Sequence, residues 1–477
     1  MVFSSMIFLW VFLPLVLIVN RLIPTRMKNV FLLFASLVFI TWGGWNSLFT
    51  MLLSITINYF GGRLIDRFEN RKKLVLVGTV VLDIALLVVF KYFNFIVVII
   101  ESIMEQNWGG MLALEGSGKL GFKEIVLPIG ISFFTFQAMS YVVDVYKGKA
   151  KVQKNFVEFA LYVALFPQLI AGPIVIYSDV AAQIKSRRET SELFVEGIKR
   201  FCYGLGKKVL FSNVFAELAD EIWKLEINSI GAPIAWLGLI AYTLQIYFDF
   251  SGYSDMAIGI GKMLGFNFKE NFNYPYTSLS IQDFWRRWHI SLSSWFKEYV
   301  YIPLGGNRKG RFRTYLNLFI VFFLTGVWHG ANFTFLIWGL IYAALLILER
   351  AFLGKLLDRN PVKIINWIYV MFFVMIAWVF FRSNNVVQAW EFVKQLFSGA
   401  SGTYSILSYL TMKRIVCFVL GILFCGVIQR ILAKFYDKIK SNRFVNGADF
   451  VIQMLLLVCS LVSIVSGTYN PFIYFQF

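Results

Sequence analysis

The chain has 477 residues, of which 58% are hydrophobic and only 15% are charged. A soluble domain is usually about one quarter charged, so this composition excludes an ordinary soluble protein and indicates one that crosses a membrane many times. The net charge of +18 does not indicate a nucleic-acid partner, because the cations lie mainly between apolar runs, which is the positive-inside pattern.

No polar stretch is long enough for a separate soluble domain, so we expect a single membrane domain over residues 1–477. We divide it into N-terminal spans (1–146), a core that holds both histidines (147–350) and C-terminal spans with an outer aromatic tail (351–477). The four cysteines lack the spacing of metal ligands or of a disulfide framework, so no metal is expected. They are Cys202, Cys417, Cys425 and Cys459.

The N-terminal region predicts five crossings. Apolar runs occupy about 6–20, 30–40, the stretch that ends near 61, 74–100 and 125–146. Basic clusters at 63–73 and 147–154 alternate with an acidic loop at 101–115, which places the N-terminus outside. The first run has no basic leader and no small-residue cleavage site, so we expect it to be retained as a span.

The run at 156–176 has basic residues on both sides and contains FPQLIAGP. Pro167 and Pro173 remove backbone donors, and Gly172 loosens a helix. Broken backbone at membrane depth is tolerated only inside protein or beside a cavity. We therefore expect a re-entrant segment that lines a cytoplasmic pocket, with a kinked span as the alternative.

The stretch FDFSGYSDMAIGIGKMLGF at 248–266 places Asp249 and Asp255 at an apolar boundary. Such carboxylates should bind backbone or pair with Arg286, Arg287 or Lys262, and we expect a structural role for them. The GIG triplet has neither the spacing nor the preceding strand of a phosphate loop.

The next stretch, ENFNYPYTSLSIQDFWRRWH, is polar and aromatic and predicts a helix at the cytoplasmic interface. On one helix, Trp285, His289 and Ser293 share a face at i, i+4 spacing. Arg286 and Arg287 would point away from that face, toward lipid headgroups or an anionic ligand.

The second histidine follows the basic, hence cytoplasmic, loop LGGNRKGRFR. A helix from Thr314 would raise His329 by roughly 24 Å into a hydrocarbon core of about 30 Å. The sequence HGAN should end that helix, which leaves His329 at a turn inside the membrane. A histidine there is either a hydrogen-bonded core residue or poised for proton transfer, and we favour proton transfer.

Three further spans are predicted at about 364–381, 415–427 and 451–465, and the cations in the intervening outer loop are exceptions to the charge rule. The chain then reads SGTYNPFIYFQF. An aromatic tail should dock into an outer cavity, or anchor at the membrane interface. In the first case the hydroxyl of Tyr474 could act as a nucleophile and carry a transferred group as a covalent ester.

DFWRRWHISLSSWFKEYVYIPLGGN and GVWHGAN resemble the signature of the membrane-bound O-acyltransferase family. The closer resemblance is to its bacterial alginate O-acetyltransferase branch, which is similar to the membrane protein that moves D-alanine toward teichoic acids. The resemblance implies an all-α polytopic fold, with about 11–12 transmembrane helices plus re-entrant and interfacial helices around a central funnel.

The resemblance also implies a function. A cytoplasmic thioester, either acetyl-coenzyme A or another acyl thioester, would supply an acetyl group for an extracellular or cell-wall polysaccharide, with no bound cofactor. His329 would be the catalytic histidine and His289 its partner. Candidate donor-side residues are Trp285, Trp288, Arg286, Ser293, Asn332, Pro167, Gly172 and Pro173.

The expected setting is the bacterial inner membrane, in contact with lipid and with a separate extracellular acetyltransferase. Two alternatives remain open. One is D-alanyl transfer from a carrier protein, and the other is a non-enzymatic transporter or flippase, which would distribute charged residues along a pathway rather than cluster polar groups around two histidines.

Overall fold

The structure is a computed structural model that describes residues 1–114, 116, 118–170, 172–399, 402–439, 443–467 and 469–473. Within these residues the fold is built from α-helices, several of which continue into π-helical turns, and it contains no β-strand. One antiparallel bridge joins Ile230 and Gly402. The all-α class expected from the sequence is therefore confirmed.

The α-helices in the described part of the chain, in order, are α1 (Leu13–Leu22), α2 (Thr25–Thr41), α3 (Trp45–Arg67), α4 (Lys72–Leu87), α5 (Phe93–Met104), α6 (Trp108–Ala113), α7 (Ile131–Tyr146), α8 (Phe156–Ala164), α9 (Phe166–Leu169), α10 (Tyr177–Lys185), α11 (Ser191–Gly206), α12 (Asn213–Trp223), α13 (Ala232–Met263), α14 (Ile281–Arg287), α15 (Ile290–Phe296), α16 (Gly310–His329), α17 (Phe333–Leu348), α18 (Gly354–Arg359), α19 (Lys363–Arg382), α20 (Val386–Leu396), α21 (Ile406–Tyr409), α22 (Met412–Ile422), α23 (Ile428–Ile439) and α24 (Arg443–Ser466).

Seven helical stretches of the described chain are long and apolar enough to cross a membrane. They are Trp45–Arg67, Glu69–Met104, Ala232–Met263, Phe333–Arg359, Lys363–Arg382, Met412–Leu432 and Phe444–Ser466. The helix Phe8–Leu22 is apolar but shorter. These stretches make the chain a multi-pass membrane protein, and the expected total of 11–12 crossings stays a prediction.

The contacts divide the chain into two compact units, each assembled from separated stretches. The first unit comprises residues 1–94, 123–204 and 253–270, and the second comprises residues 95–122, 205–252 and 271–477. The single membrane domain that the sequence predicts stays a prediction.

In the first unit, phenylalanine rings join α2, α9 and the π-helical turn Phe8–Phe12 that precedes α1. Phe166 lies edge-on to Phe12, with ring centroids 5.3 Å apart, and tilted to Phe39 at 5.6 Å. The backbone N–H of Phe166 donates to Ser36 Oγ at 3.1 Å. This bond satisfies a donor at the point where the chain leaves α8, so the interruption costs little.

The interruption is the FPQLIAGP stretch. α8 ends at Ala164, α9 lasts only four residues, and residues 172–175 are buried without helical structure. At Gly172 an added Cβ would lie 2.5 Å from the Cα of Gln168 and 2.8 Å from the carbonyl oxygen of Pro167, so only glycine fits. The broken backbone is as predicted, and its re-entrant character stays a prediction.

Asp255 also lies in the first unit. Its carboxylate pairs with Arg200 from α11, at 2.7 Å from Nη2, while Lys262 pairs with Glu196 at 2.7 Å. Arg200 is therefore a partner of Asp255 that the sequence did not suggest, since Lys262, Arg286 and Arg287 were the expected cations. α11, about fifty positions earlier in the sequence, brings this cation to the carboxylate.

In the second unit α16 and α17 are in unusually close contact. A Cβ added at Gly326 would lie 2.5 Å from the carbonyl oxygen of Phe335, and one at Gly339 would lie 2.4 Å from that of Phe322. Small residues let two helix backbones approach in this way. The contact fixes the end of α16, where His329 lies.

Asp249, in the same unit, is also paired differently from expectation. Its carboxylate lies 2.6 Å from Lys208 Nζ and accepts the backbone N–H of Ile473 at 2.9 Å. The expected backbone bond is therefore present, but the partner cation is Lys208 rather than Arg286, Arg287 or Lys262. Lys208 lies in the π-helical turn after α11, where its apolar sequence surroundings gave no sign of a buried cation.

Candidate active site

His289 lies at a break between two short helices. α14 ends at Arg287, α15 begins at Ile290, and the backbone of His289 has φ 45° and ψ 54°. This left-handed conformation is uncommon for a residue with a side chain, so it must be held by its surroundings.

Asn271 holds the break. Its side-chain Oδ1 accepts the N–H of Ser291 at 3.1 Å and the hydroxyl of Ser291 at 2.9 Å, and it lies 3.3 Å from His289 Nδ1. Its backbone carbonyl accepts the N–H of Ile290 at 2.9 Å. The first turn of α15 therefore takes its hydrogen bonds from Asn271 instead of from α14.

The prediction that Trp285, His289 and Ser293 share one face of a continuous helix is wrong. Periodicity alone favours that helix, but Asn271, eighteen positions earlier, competes for the same backbone donors. Trp285 lies on α14 and Ser293 on α15, with His289 in the turn between them.

The start of α14 is held by two acceptors. Ser280 Oγ accepts the N–H of Asp283 at 3.0 Å. The Glu349 carboxylate accepts the N–H groups of Ile281 at 2.6 Å and Gln282 at 2.9 Å. A carboxylate at a helix N-terminus is favourable for both its hydrogen bonds and its charge. It ties α14 to the chain that continues α17.

The His289 ring is 1% exposed. It lies edge-on to Phe250, with ring centroids 4.6 Å apart, and within 6.1 Å of Trp328. His289 lies outside the seven candidate spans, and burial lowers its pKa to about 3. The ring is therefore neutral at physiological pH.

His329 is the last residue of α16, as the sequence predicts, and is 6% exposed. Its ring lies edge-on to Trp338 at 4.8 Å and to Phe381 at 5.1 Å. A Cβ at Gly330 would lie 2.2 Å from the ring of Phe335, so the chain can turn here only at a glycine. The result is an imidazole surrounded by aromatic rings on three helices.

Trp328 is a neighbour of both histidines. Its ring lies 4.8 Å from that of His329 and 6.1 Å from that of His289. The fold thus brings together the two imidazoles that the sequence separates by forty positions, in a sheltered and largely apolar setting.

A cavity of about 790 Å³ opens beside α14, α15 and α16. Trp285, Ser293 and Thr325 line it, and Thr325 is one helical turn before His329. Neither histidine is among the lining residues. Trp285 connects the two places, because its ring lies 5.7 Å from Trp338, which contacts His329.

The charge of this cavity is one-sided. Its described lining contains five cations and no carboxylate; the cations are Arg286, Lys297, Arg308, Lys309 and Arg350. Asn317 of α16 donates to the carbonyl oxygen of Gly306 at 2.9 Å and so orders the basic loop. A cleft with one sign of charge concentrates ligands of the other sign.

The other predicted site residues lie elsewhere. Trp288 packs in the aromatic core against Phe272 and Trp378, each at 5.1 Å. Asn332 caps α17 by accepting the N–H of Thr334 at 2.9 Å. Pro167, Gly172 and Pro173 belong to the first unit and do not line this cavity. Tyr474 lies outside the described residues.

Four residues with clear parts in the site were not predicted: Asn271, Glu349, Trp338 and Phe381. Asn271 stands in the polar ENFNYPY run, and Glu349 is a lone carboxylate at the end of a long apolar run. An isolated acid in that position was a usable signal. Trp338 and Phe381 gave no signal, because the chain contains 14 tryptophans and 51 phenylalanines.

Comparison with known proteins identifies the family of this chain. Residues 145–390, which include both histidines, match the model of MBOAT, the membrane-bound O-acyltransferase family. The chain belongs to this family, and it is an O-acyltransferase.

The similarity to one relative extends over the whole chain. The chain is 40% identical to the "Probable alginate O-acetylase AlgI" of Pseudomonas putida, over 100% of both proteins. It is 35% identical to the peptidoglycan O-acetyltransferase of Helicobacter pylori, over 83% of this chain and 79% of that protein. Similarity to the teichoic acid D-alanyltransferase of Bacillus subtilis is weaker, at 29% over 46% of this chain and 58% of that protein.

Proposed function

We propose that this enzyme takes an acetyl group from a thioester on the cytoplasmic side of the bacterial inner membrane and passes it across for O-acetylation of an extracellular or cell-wall polysaccharide. The cavity beside α14–α16 is the donor site, and His329 is the catalytic base. The observation that carries the proposal is a pair of sheltered imidazoles next to a cationic cavity.

The donor is an acyl thioester with a phosphate-bearing carrier, either acetyl-coenzyme A or a phosphopantetheine arm. Arginine and lysine are suited to phosphate oxygens. The apolar inner wall, formed by residues such as Trp285 and Phe322, suits the less polar acyl end. The basic residues Arg308 and Lys309, which come from the predicted cytoplasmic loop, support an entrance on the cytoplasmic side.

The transfer needs one proton to move. His329 accepts the proton of the acceptor hydroxyl as its oxygen attacks the thioester carbonyl, the carbon–sulfur bond breaks, and the proton returns to the departing thiolate. The products are the acyl ester and the free thiol. The aromatic rings around His329 exclude water, which would otherwise hydrolyse the thioester.

His289 orients the reactants or assists proton transfer beside His329. Its burial keeps the ring neutral, which suits a hydrogen-bonding and positioning part. Asn271, at 3.3 Å from Nδ1, sets the orientation of the ring.

The relatives support a polysaccharide as the acceptor, because their names refer to alginate and to peptidoglycan. A separate extracellular acetyltransferase completes the reaction, with Tyr474 as a candidate relay that carries the acyl group as a phenolic ester. D-alanyl transfer is the competing function, and the lower similarity to the D-alanyltransferase argues against it.

The central test is His329→Ala, with His329→Gln as a second variant that keeps a polar side chain without a base of similar strength. Loss of a general base usually lowers the rate by about 10²–10⁴-fold, so acetyl ester on the cell polysaccharide should fall to background in both variants. Protein abundance in the membrane should remain at the wild-type level.

Undiminished acetylation in His329→Gln would contradict the assignment of His329 as the catalytic base. Loss of the protein together with the ester in both variants would assign His329 to the packing of α16 instead. Alanyl ester in place of acetyl ester on the wall polymers of wild-type cells would favour the D-alanyl function.

A further inference from the structure

The second unit contains a buried ion pair that the proposed chemistry does not use. Lys208 and Asp249 are each 2% exposed, and Lys208 Nζ lies 2.6 Å from Asp249 Oδ1. Burying two charges is costly unless their remaining hydrogen-bonding capacity is also satisfied. The partners that satisfy it are therefore informative about the purpose of the pair.

Those partners are backbone groups of one distant segment. Lys208 Nζ donates to the carbonyl oxygen of Pro471, and Asp249 Oδ2 accepts the N–H of Ile473 at 2.9 Å. The two backbone groups stand on either side of Phe472, whose ring lies 6.0 Å from the Lys208 ammonium. Both ions thus bind the same short stretch of chain.

Two neighbouring contacts extend the same attachment. The hydroxyl of Tyr469 donates to the Asp220 carboxylate, which also pairs with Arg382. Asn213 Nδ2 donates to Asn470 Oδ1 at 3.3 Å.

Side chains of the second unit therefore form hydrogen bonds with four of the five residues in the segment Tyr469–Ile473. Phe472 and Ile473, at its end, are only 4% and 3% exposed.

We propose that Lys208 and Asp249 form a peptide-binding clamp for the segment Tyr469–Ile473, and that acyl transfer requires this segment to be held in the clamp. The recognised ligand is peptide backbone, with one carbonyl acceptor and one N–H donor two residues apart. The role in transfer rests on the proposed function, whereas the binding of the segment does not.

The clamp predicts a particular behaviour of charge-free variants. Removing the charge of Lys208 or Asp249 alone leaves the other charge buried and unpaired, which by itself destabilises the folded protein. Lys208→Met with Asp249→Leu removes both charges and keeps apolar volume, so this double variant should fold. It nevertheless lacks both groups that bind the segment.

Segment release is measured with a single cysteine at position 473, in a protein whose four native cysteines are replaced by serine. Ile473 is bound through its backbone, so Ile473→Cys leaves the clamp contacts intact. A soluble maleimide should react slowly with the wild-type clamp and about tenfold or more faster with the double variant, because protection follows the free energy of local opening.

The matched control is the ion pair Lys262–Glu196, in which Glu196 is 57% exposed at the side chain. Neutralising that pair with Lys262→Gln and Glu196→Gln should leave the labelling rate at position 473 unchanged. Equal protection in the clamp double variant would overturn the assignment of Lys208 and Asp249 as the binding groups.

The role in transfer has its own readout. The double variant should bind donor thioester with wild-type affinity but fail to pass acetyl to the acceptor, as should a chain that ends at Gly467. A synthetic peptide of residues 468–477 should restore transfer to the shortened chain, and should not restore it when the clamp is also neutralised.

Wild-type transfer by a double variant that labels rapidly at position 473 would overturn the role in transfer while leaving the binding site in place. Failure of the proposed function looks different. In that case the wild-type protein itself would transfer no acetyl group, whereas the labelling difference would persist.

Discussion

His289 combines an unusual backbone conformation with a buried side chain. Its backbone has φ 45°, a region that favours glycine and asparagine over other residues. Its imidazole is buried beside Asn271 and close to Trp328. A substitution can therefore disturb the turn, the chemistry or both, and the two effects can be separated by the choice of residue.

His289→Asn should keep the turn, because asparagine tolerates the left-handed region, and lose the imidazole. We expect normal membrane abundance and normal thermal unfolding at neutral pH, with polysaccharide acetylation reduced by about 10²-fold if the ring takes part in proton transfer. His289→Val should instead lower the abundance, since a β-branched residue is strained at positive φ. Full acetylation in His289→Asn would confine His289 to a structural role.

The same asparagine variant changes the response to pH. Burial holds the pKa of His289 near 3 in the folded protein, below its ordinary value of about 6.5. The stability that comes from the neutral ring is present above the ordinary pKa and is lost as pH falls below it. The fall in unfolding temperature between pH 7.5 and pH 5 should therefore be smaller in His289→Asn than in the wild type.

At the scale of elements, the site depends on how closely α16 and α17 approach. Gly326 on α16 meets the carbonyl oxygen of Phe335, and Gly339 on α17 meets that of Phe322. No side chain separates the two backbones at these points. His329 lies one turn beyond Gly326, so its position depends on this contact.

Gly326→Ala should push the helices apart. Inserting a methyl group into a packed contact typically costs about 1–3 kcal/mol, and the displacement of His329 should lower acetyl transfer more than it lowers protein abundance. Both are read from membranes of cells that express the variant at a matched level.

The matched control is Gly78→Ala on α4, where an added Cβ has nothing within 4 Å. Alanine in that helix interior should be neutral or stabilising by about 0.5–1 kcal/mol. Normal transfer in Gly326→Ala would show that the α16–α17 contact does not set the position of the histidine.

The sequence predicted some elements well because local signals decided them. α16 ends at His329, where the HGAN sequence supplies Gly330, and the ring of Phe335 lies close to that glycine. Asn332 then caps α17. The helix expected through His289 failed because a distant residue, Asn271, takes its backbone donors. Periodicity carries no record of such a competitor.

At the scale of the whole molecule, the pattern of charge is now easier to explain. Three of the four cations that break the charge rule in the predicted outer loop have acidic partners in the structure. Arg382 pairs with Asp220, Arg414 with Glu221 and Lys394 with Glu391. Composition could predict a membrane protein with basic inner loops, but it could not predict these pairs, because the partners of the two arginines lie far away in the sequence.

The cations of the cavity have a different distribution, since its described lining holds five of them without a carboxylate. Neutralising Arg308 and Lys309 to glutamine should weaken attraction of an anionic thioester, so KM for the donor should rise by about tenfold with kcat little changed. Added salt should narrow the difference between variant and wild type.

The control for that experiment is Lys394→Gln, which removes a lysine that is 55% exposed at its side chain and lies outside the cavity. Its KM should match that of the wild type. An unchanged KM in the Arg308 and Lys309 variant would mean that the donor reaches the histidines without using this cavity.

The cationic cavity with its aromatic inner wall also bears on how the protein should be handled outside the cell. An anionic head joined to an apolar chain is the general form of bile-salt and alkyl-sulfate detergents, and it matches the lining from Lys309 to Trp285. Such detergents would occupy the place meant for the thioester and so act as competitive inhibitors. Uncharged sugar-headed detergents lack the anionic head and should leave the entrance open during purification and assay.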